Sequence, residues 1–410
     1  DPVDRSILPA GLRDLDLDSI AAEYGTPAFV YDEAHLRARC REYVEHFGAD
    51  HVAYAGKAFL CTAMAQLIAE EGLHLDVATG GELFVALHAG FPAERLVFHG
   101  NNKSDAEIAS AARAGVGRIV ADSFDELERL EASGFTGDVL VRVTPGVEAH
   151  THEYIQTGTD DSKFGFTVST GAAADAVARV VGSDALRFGG IHAHIGSQVF
   201  RLDSYARAAA VVGGFADECE RTTGAEIPLV NLGGGLGARY LNSDPDPSVA
   251  EYAAALRTGL GGRPMMVEPG RSIAAVAAVT LYRVGTVKTI PGGRTYVAVD
   301  GGMSDNPRPV LYGAGYEAFL ADRPDAPRPL AVAVAGKHCE QGDVIVPDGY
   351  LPADVAVGDL LVTPVTGAYG YSMASNYNKV PRPVVLFVRD GQVRVVVRRE
   401  TPDDLIRLDA

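Results

Sequence analysis

A lysine that follows an apolar segment is the first residue of this chain with clear chemical potential. Lys57 comes directly after the run Tyr54-Ala55-Gly56. If that run is a strand of a buried sheet, desolvation would favour the neutral amine, which can attack a carbonyl carbon and form a Schiff base. A single lysine at a strand end is more often a solvated side chain. The interpretation therefore depends on the residues that lie beside it.

Two glycine sites further along the chain could hold an anion. Gly233-Gly234-Gly235 are consecutive, and Gly270 stands alone. Because glycine has no Cβ, backbone N–H groups at such positions can approach a phosphate closely. Ser197 would add a hydroxyl donor. A plain tight turn is the alternative for a run of glycines, but a phosphate site in the same place as Lys57 would strengthen the Schiff-base interpretation.

Glu268 is the carboxylate with the most suggestive surroundings. It stands in Val267-Glu268-Pro269-Gly270-Arg271, where a carboxylate could pair with a protonated pyridine nitrogen and make that ring a stronger electron sink. The alternative is an ion pair between Glu268 and Arg271 within the same loop. Taken alone, the segment favours neither interpretation.

The pair His192 and His194 raises the question of a metal. Alternate residues of a strand share one face, and imidazoles bind zinc, but no third and fourth ligand has equally clear spacing. We therefore expect no metal, and interpret His194 as a flat ring stacked on a cofactor and His192 as a packed, hydrogen-bonded interior residue. Asp76, Arg142 and Asn102 are interpreted as residues that hold the surrounding loops together.

The elements that must position these residues alternate between strands and helices. After an entry strand near Pro27 to Tyr31 and a helix from about Glu33, apolar β-rich runs begin near His51, Leu73, Leu96, Arg118, Val139, Phe188, Leu229 and Met265. Helical windows between them include Cys61 to Glu71, Gly80 to Ala89, Ser104 to Ala114 and Ser204 to Thr223. Eight such units predict a (β/α)8 TIM-type barrel. The candidate residues follow the strands, and active sites of this fold are built at those carboxyl ends.

From about Thr280 the pattern changes to strands with hardly a helix between them. Asp390-Gly391 separates two valine-rich runs and predicts a tight hairpin turn. The fold class is therefore α/β, with an N-terminal barrel and a C-terminal all-β domain. We place the barrel at residues 27–279 and the β domain at 280–410, and expect the segment 1–26 to pack with the β domain.

Composition limits the functions that are open to the chain. Its 410 residues carry a formal charge of −18, which disfavours nucleic acid and anionic membranes as partners. The four cysteines, Cys40, Cys61, Cys219 and Cys339, form no C-x-x-C pair, so a reducing cytoplasm is expected. No apolar stretch is long enough to span a bilayer, and the acidic start does not resemble a signal peptide.

An ordered series of motifs resembles one family over nearly the whole chain. The motifs are Tyr54-Ala55-Gly56-Lys57-Ala58, Asp76-Val77-Ala78-Thr79-Gly80-Gly81-Glu82, Asp161-Ser162-Lys163-Phe164-Gly165, His192-Ala193-His194-Ile195-Gly196-Ser197-Gln198, Asn231-Leu232-Gly233-Gly234-Gly235, Glu268-Pro269-Gly270-Arg271, Pro307-Arg308-Pro309, His338-Cys339-Glu340, Gly367-Ala368-Tyr369 and Ser375-Asn376-Tyr377-Asn378. Together they resemble the fold type III pyridoxal-5′-phosphate decarboxylases, and among these the diaminopimelate decarboxylases.

That resemblance implies a role for each matched residue and a homodimer with shared active sites. The implied catalytic residues are Lys57, which forms the internal aldimine, and Cys339, a proton donor contributed across the dimer interface. The implied cofactor-binding residues are Lys57, Asp76, His194, Ser197, Gly234, Gly235, Glu268, Gly270, Arg271 and Tyr369, and the implied substrate-binding residues are Arg271, Arg308, Tyr312, Glu340 and Tyr369. The implied reaction converts meso-2,6-diaminopimelate to L-lysine and carbon dioxide.

Two departures from the family's pattern and several other functions deserve weighing. Gln341 stands where a serine is usual, and Thr79 replaces a commoner serine; neither change removes a group that the chemistry needs. The nearest alternative is a decarboxylase of the same fold that acts on ornithine, arginine or carboxynorspermidine. A racemase fits less well, because Glu268 suits a protonated ring. A non-catalytic pyridoxal phosphate carrier and a zinc hydrolase using His192 and His194 are the remaining alternatives.

Overall fold

Strands and helices occupy most of the predicted positions in the computed structural model, which describes residues 1–146 and 160–410. The strands are β1 Ala28–Asp32, β2 Ala53–Ala55, β3 His74–Val77, β4 Leu96–Phe98, β5 Arg118–Ala121, β6 Asp138–Thr144, β7 Phe166–Thr167, β8 Arg187–His192, β9 Val230–Asn231, β10 Met265–Met266, β11 Ala278–Thr289, β12 Thr295–Val299, β13 Phe319–Leu320, β14 Leu330–Ala335, β15 Val344–Leu351, β16 Leu360–Pro364, β17 Val384–Arg389 and β18 Gln392–Val397. The helices are α1 Ala10–Arg13, α2 Leu17–Tyr24, α3 Glu33–Phe47, α4 Thr62–Glu70, α5 Gly80–His88, α6 Asp105–Ala114, α7 Phe124–Ala132, α8 Ala172–Val181, α9 Leu202–Thr223, α10 Val249–Leu260, α11 Arg271–Ala274, α12 Arg308–Tyr312 and α13 Pro402–Ile406.

The predicted parallel barrel is confirmed. Strands β2, β3, β4, β5, β6, β8, β9 and β10 of the described residues pair in that order. A parallel bridge between Val52 and Val267 joins the first strand to the last, and the Ala53 N–H donates to the Val267 carbonyl at 3.0 Å. Buried side chains from five strands, and from Leu229 directly before β9, form a core cluster, namely Ala53, Val97, Val120, Leu140, Leu229 and Met266. Strands buried on both faces need continuous apolar runs, which is why the sequence located them so closely.

Local capping fixes where the barrel helices begin, directly after the loops that carry polar residues. Ser104 and Glu107 form a reciprocal capping box at the start of α6. Helix α5 begins with a simple N-cap, in which the Thr79 side chain accepts the Glu82 N–H at 3.1 Å, while the Glu82 carboxylate accepts the Ala78 N–H at 2.8 Å. Threonine and serine are both good N-caps. The departure at Thr79 therefore leaves this turn intact.

The second sheet has the order β15-β14-β12-β11-β1-β17-β18, and β16 pairs with β11 and β13. It contains the entry strand β1, which pairs antiparallel with β11 and parallel with β17, so β1 is not part of the barrel. The predicted hairpin turn is confirmed: Asp390 and Gly391 have φ values of 52° and 73°, as a two-residue turn of this kind requires. Strand β15 is hard to recognise in the sequence, because Pro347, Asp348 and Gly349 interrupt its apolar pattern.

The chain divides into two compact units. One contains Asp1–Ala38, Ala238–Asp246 and Arg271–Ala410, and the other contains Arg39–Gly237 and Pro247–Gly270. The barrel strands fall in the second unit, and the N-terminal segment falls in the unit that holds the β sheet. Among residues 1–146 and 160–410, none of the helices combines the length and the apolar character that a bilayer crossing needs.

Gly190 should be one of the positions on which barrel closure depends. It lies in β8 with φ at 130°, and a Cβ there would stand 2.0 Å from the Leu229 carbonyl oxygen. We expect Gly190→Ala to lower the free energy of unfolding by about 3 kcal/mol or more, since overpacking and an unfavourable φ combine. The control is Gly214→Ala, on the exposed side of α9 with no atom within 4 Å of the added Cβ, which should be neutral or slightly stabilising. Urea denaturation curves measure both, and equal midpoints for the two variants would contradict this strand contact.

Candidate active site

Lys57 lies at the mouth of the barrel, in a short turn that directly follows β2. Its side chain is exposed, whereas the apolar run before it suggested desolvation. The ammonium group nevertheless acts on the other candidate residues. Burial raises the pKa of Asp76 to about 8, and the charge of Lys57 is among the smaller effects that oppose the rise. Burial, and after it the charge of Lys57, lower the pKa of His194 to about 3. Asp76, His194 and Lys57 therefore face one region.

The glycine run after β9 packs so closely against two neighbouring loops that side chains are excluded. A Cβ at Gly234 would lie 2.7 Å from the Glu268 carbonyl oxygen, and one at Gly235, where φ is 125°, would lie 2.6 Å from the Gly196 carbonyl oxygen. Gly270 packs similarly, because its Cβ would meet Ala55 at 3.0 Å. The loops after strands β2, β8, β9 and β10 are thus in contact.

The same loops provide unused hydrogen-bond donors. Within the described residues, the backbone N–H groups of Gly234 and Gly235 donate to no acceptor. The Val199 N–H donates to the Gly235 carbonyl at 3.0 Å and so joins the loop of Ser197 to the glycine loop. Ser197 itself is exposed. Free N–H groups on a loop without side chains form a suitable site for a phosphate.

Glu268 is held by two imidazoles at the centre of this region. Its Oε2 atom lies 2.6 Å from Nε2 of His99, and its Oε1 atom lies 2.7 Å from Nε2 of His192. Only 4% of the Glu268 surface is exposed. Burial acts to raise the pKa of its carboxyl group, but the two histidines outweigh burial and hold the pKa well below its usual range. Glu268 is therefore an ionised carboxylate, as a partner for a protonated ring nitrogen must be.

His99 connects Glu268 to Asp76, whose Oδ2 atom lies 3.6 Å from its Nε2. Burial would lower the pKa of His99, but the charges of Asp76 and Glu268 raise it above its ordinary value. The sequence reasoning gave His99 no role. His99 directly follows β4, and the residues that were singled out also follow barrel strands. This position was the signal that could have identified His99. His192 is buried and hydrogen-bonded, as expected.

The residues that could bind a metal in the structure differ from the pair His192 and His194 that the sequence suggested. Among the described residues, His99, His192 and Glu268 are the cluster with donor atoms close enough for one ion, within 4.8 Å of one another. His194 is not among them. Both imidazole Nε2 atoms are engaged by the carboxylate, at distances typical of charge-assisted hydrogen bonds. The arrangement is that of a hydrogen-bond network centred on the Glu268 carboxylate.

Two arginines and three tyrosines cluster in the unit that holds the β sheet. Arg271 donates to the Tyr240 hydroxyl at 2.9 Å and lies 4.9 Å from the Tyr369 ring centre. Arg308 donates to the Tyr316 hydroxyl at 2.7 Å and lies 4.4 Å from the Tyr240 ring centre. Neither guanidinium has a carboxylate partner among the described residues. Sequence reasoning missed Tyr240 and Tyr316, because no motif marks either tyrosine.

The remaining candidates of this unit are exposed. Cys339 and Glu340 lie at the surface, where the Cys339 N–H donates to the side-chain oxygen of Asn378 at 2.8 Å. His338, directly before them, is buried and hydrogen-bonded to Asp343 through Nδ1 at 2.9 Å. Tyr312, at the end of α12, is 68% exposed.

An eight-stranded barrel with a lysine, a phosphate-type glycine loop and a buried ionised carboxylate at its mouth defines a pyridoxal-dependent decarboxylase of the barrel type. The family described as "Pyridoxal-dependent decarboxylase, pyridoxal binding domain" matches residues 33–275, and its cofactor is pyridoxal 5′-phosphate. Diaminopimelate decarboxylase of Mycobacterium tuberculosis (strain ATCC 25618 / H37Rv) is 51% identical to this chain, over 96% of it and 93% of the relative. That of Bacillus subtilis (strain 168) is 47% identical, over 95% and 92%.

A solved structure gives the same result. Diaminopimelate decarboxylase from M. jannaschii in co-complex with L-lysine has 33% sequence identity and a TM-score of 0.89, covering 96% of this chain and 94% of that one. The chain belongs to the diaminopimelate decarboxylase family.

Asp76 allows a test of the buried cluster in protein freed of pyridoxal phosphate. Its pKa is about 8 in the folded chain, against an ordinary value of 3.8 for an aspartate, so the folded state holds one extra proton between these values. The free energy of unfolding of the wild type should therefore fall as pH rises from about 4 to about 8, relative to Asp76→Asn, by on the order of 5 kcal/mol in total. Urea denaturation across this range measures the difference, with the exposed Asp14→Asn as control. A constant difference between wild type and Asp76→Asn would refute the buried neutral acid.

Proposed function

We propose that this protein removes carbon dioxide from meso-2,6-diaminopimelate and releases L-lysine, with pyridoxal phosphate attached through Lys57. The barrel supplies the cofactor site, and the β-sheet unit supplies residues for the substrate. The observation that carries the choice of substrate is the arginine pair Arg271 and Arg308, which lacks a carboxylate partner among the described residues.

The residues at the barrel mouth fit the cofactor group by group. Gly234, Gly235 and Gly270 offer the close backbone approach that a phosphate needs, and Ser197 adds a hydroxyl. Lys57 is exposed toward the same mouth and available for covalent attachment. Burial keeps the pKa of His194 low, so its ring is neutral and can lie against an aromatic face without adding charge.

Glu268 would face the ring nitrogen. The bound cofactor supplies an aromatic ring that takes up the electron pair of the broken carbon–carboxylate bond. An ionised carboxylate beside the nitrogen keeps the nitrogen protonated, and this makes the ring a better acceptor. Tyr369 and Asp76 complete the proposed cofactor site, with Asp76 contributing as a neutral acid at physiological pH.

A buried arginine without a carboxylate partner is costly unless an anion binds to it. Arg308 is only 7% exposed, and its protein partners are the Tyr316 hydroxyl and the faces of tyrosine rings. Arg271 lies against the same Tyr240 ring. We propose that both guanidinium groups bind the carboxylate of the substrate that is not lost, with Tyr312 beside them.

After carbon dioxide has left, the α-carbon of the substrate needs a proton. We propose the thiol of Cys339 as its source, with Glu340 near the distal amino group of the substrate, both contributed by the second subunit of a homodimer. Support comes from their exposure, and from the exposed side chains Val310, Leu311 and Tyr312 on α12 of the same unit. Apolar surface of this kind is typical of an interface.

Substrate choice can be tested through Arg308. Arg308→Lys replaces a planar bidentate donor with a point charge. We expect kcat/KM for meso-diaminopimelate to fall about 10- to 100-fold, as for a lost charge-assisted hydrogen bond, measured by carbon dioxide release. Arg294→Lys, at an exposed pair with Asp348, should match the wild type. Ornithine, arginine and lysine should not be substrates; turnover of ornithine or arginine but not of diaminopimelate would refute the specificity.

The shared site can be tested by mixing two inactive chains. Lys57→Ala and Cys339→Ala homodimers should each be inactive, because each lacks one required group in both sites. After unfolding and refolding together, heterodimers would contain one intact site, and activity should recover to about a quarter of the wild type for random pairing. Either variant refolded alone is the control. A mixture that stays inactive would show that Lys57 and Cys339 do not come from different subunits.

A further inference from the structure

We propose that His99 and His192 are positioning residues for the decarboxylation, which together clamp Glu268 so that its carboxylate stays ionised and correctly oriented toward the position of the cofactor ring nitrogen. The inference rests on the proposed function, in which Glu268 faces that nitrogen. It adds two residues that act through Glu268 and do not touch the substrate.

The clamp is defined by one hydrogen bond to each carboxylate oxygen. His99 Nε2 lies 2.6 Å from Oε2, and His192 Nε2 lies 2.7 Å from Oε1. The two rings meet nearly edge to face, with centres 4.7 Å apart and planes at 68°. They come from β4 and β8, which β5 and β6 separate in the barrel. Rotation of the Glu268 carboxylate would break both bonds, so the clamp fixes its plane.

The protonation of the two imidazoles follows from their surroundings. Nδ1 of His192 is buried and has no hydrogen-bond partner among the described residues. A proton on that atom would be an unsatisfied buried donor, which is costly, so His192 is neutral and carries its hydrogen on Nε2. Burial likewise lowers the pKa of His192 to about 4. His99 donates through Nε2 to the other carboxylate oxygen of Glu268, and its pKa is raised above the ordinary value despite burial.

One imidazole donor on each oxygen suits the task of Glu268. An ionised carboxylate has about four acceptor positions, so two remain for a ring N–H after the histidines are bound. Without the donors, burial would favour the protonated acid, and a protonated Glu268 cannot keep a pyridine nitrogen charged. Other charged or titratable groups that act electrostatically on this cluster are Asp76, Lys57, Arg118, Arg142 and His194.

A purely structural role of the two histidines predicts a different response to substitution. If His99 and His192 only fill space, a ring of similar size should replace either one. If they act as donors, an amide that keeps an N–H group should replace His192 better than phenylalanine does. The variants are therefore His99→Phe, His99→Gln, His192→Phe and His192→Gln. His74→Phe is the control, since His74 is also a buried barrel histidine on β3 but bonds to the Arg95 carbonyl.

The decisive readout is the protonation of the ring nitrogen, measured by 15N NMR with pyridoxal phosphate labelled at that atom. We expect a protonated nitrogen in the wild type, in His192→Gln and in His74→Phe, and a shift toward the unprotonated form in both Phe variants at positions 99 and 192. In these two variants kcat should fall about 10- to 100-fold, the effect of a lost hydrogen bond to a charged group, with KM changed less than about twofold. His192→Gln should stay within about threefold of the wild-type kcat.

Other results would overturn the inference. Wild-type nitrogen protonation and kcat in both Phe variants would show that the clamp is not needed, and an equal loss in His74→Phe would reduce it to packing. Leucine variants at both positions replace any Phe variant that does not fold. Borohydride reduction followed by mass spectrometry separates the two proposals: a wild type that carries no cofactor on Lys57 and releases no carbon dioxide refutes the proposed function itself.

Discussion

The buried Glu268 carboxylate is the group on which the arrangement of the barrel mouth depends. Removing an ionised carboxylate from water costs several kcal/mol unless hydrogen bonds replace the solvent. Here the replacement comes from imidazoles on β4 and β8, while the Glu268 backbone N–H donates to the Gly233 carbonyl at 2.8 Å. The same residue therefore ties the glycine loop to the histidine pair. A barrel that closed in another register would leave this charge unpaired.

Most of the fold could be predicted from the sequence because its strands are short, apolar and buried on both faces. All eight barrel strands begin within two residues of their predicted starts, and the Asp390-Gly391 turn joins β17 and β18 as expected. The membership of β1 could not be predicted. Its five residues are all buried, so no alternation of apolar and polar residues shows which sheet they enter. Its partners β11 and β17 lie far away in sequence. Periodicity locates strands but does not choose their distant partners.

The candidate site shows the same limit at the level of side chains. Lys57, Glu268 and the glycines could be singled out because each follows a strand, and the carboxyl ends of barrel strands meet at one face. The bond between His99 and Glu268 joins residues 169 positions apart. No local pattern predicts which of several polar groups at the mouth will pair. The sequence offered Arg271 as a partner for Glu268, and the structure instead engages both carboxylate oxygens with histidines.

The two arginines Arg271 and Arg308 form a positive site in a chain that is acidic as a whole. The chain has a net charge of −18, yet Arg271 and Arg308 lie beside tyrosines and have no acidic partner among the described residues. Tyrosine faces stabilise a guanidinium by cation–π attraction of about 1 kcal/mol, too little to offset the desolvation of Arg308. In the proposed function, a substrate with a second carboxylate would supply the missing anion. An ornithine-like substrate would bring an ammonium group instead, so the arginines would stay unpaired and repel it, and discrimination would rest as much on that repulsion as on attraction of the correct substrate.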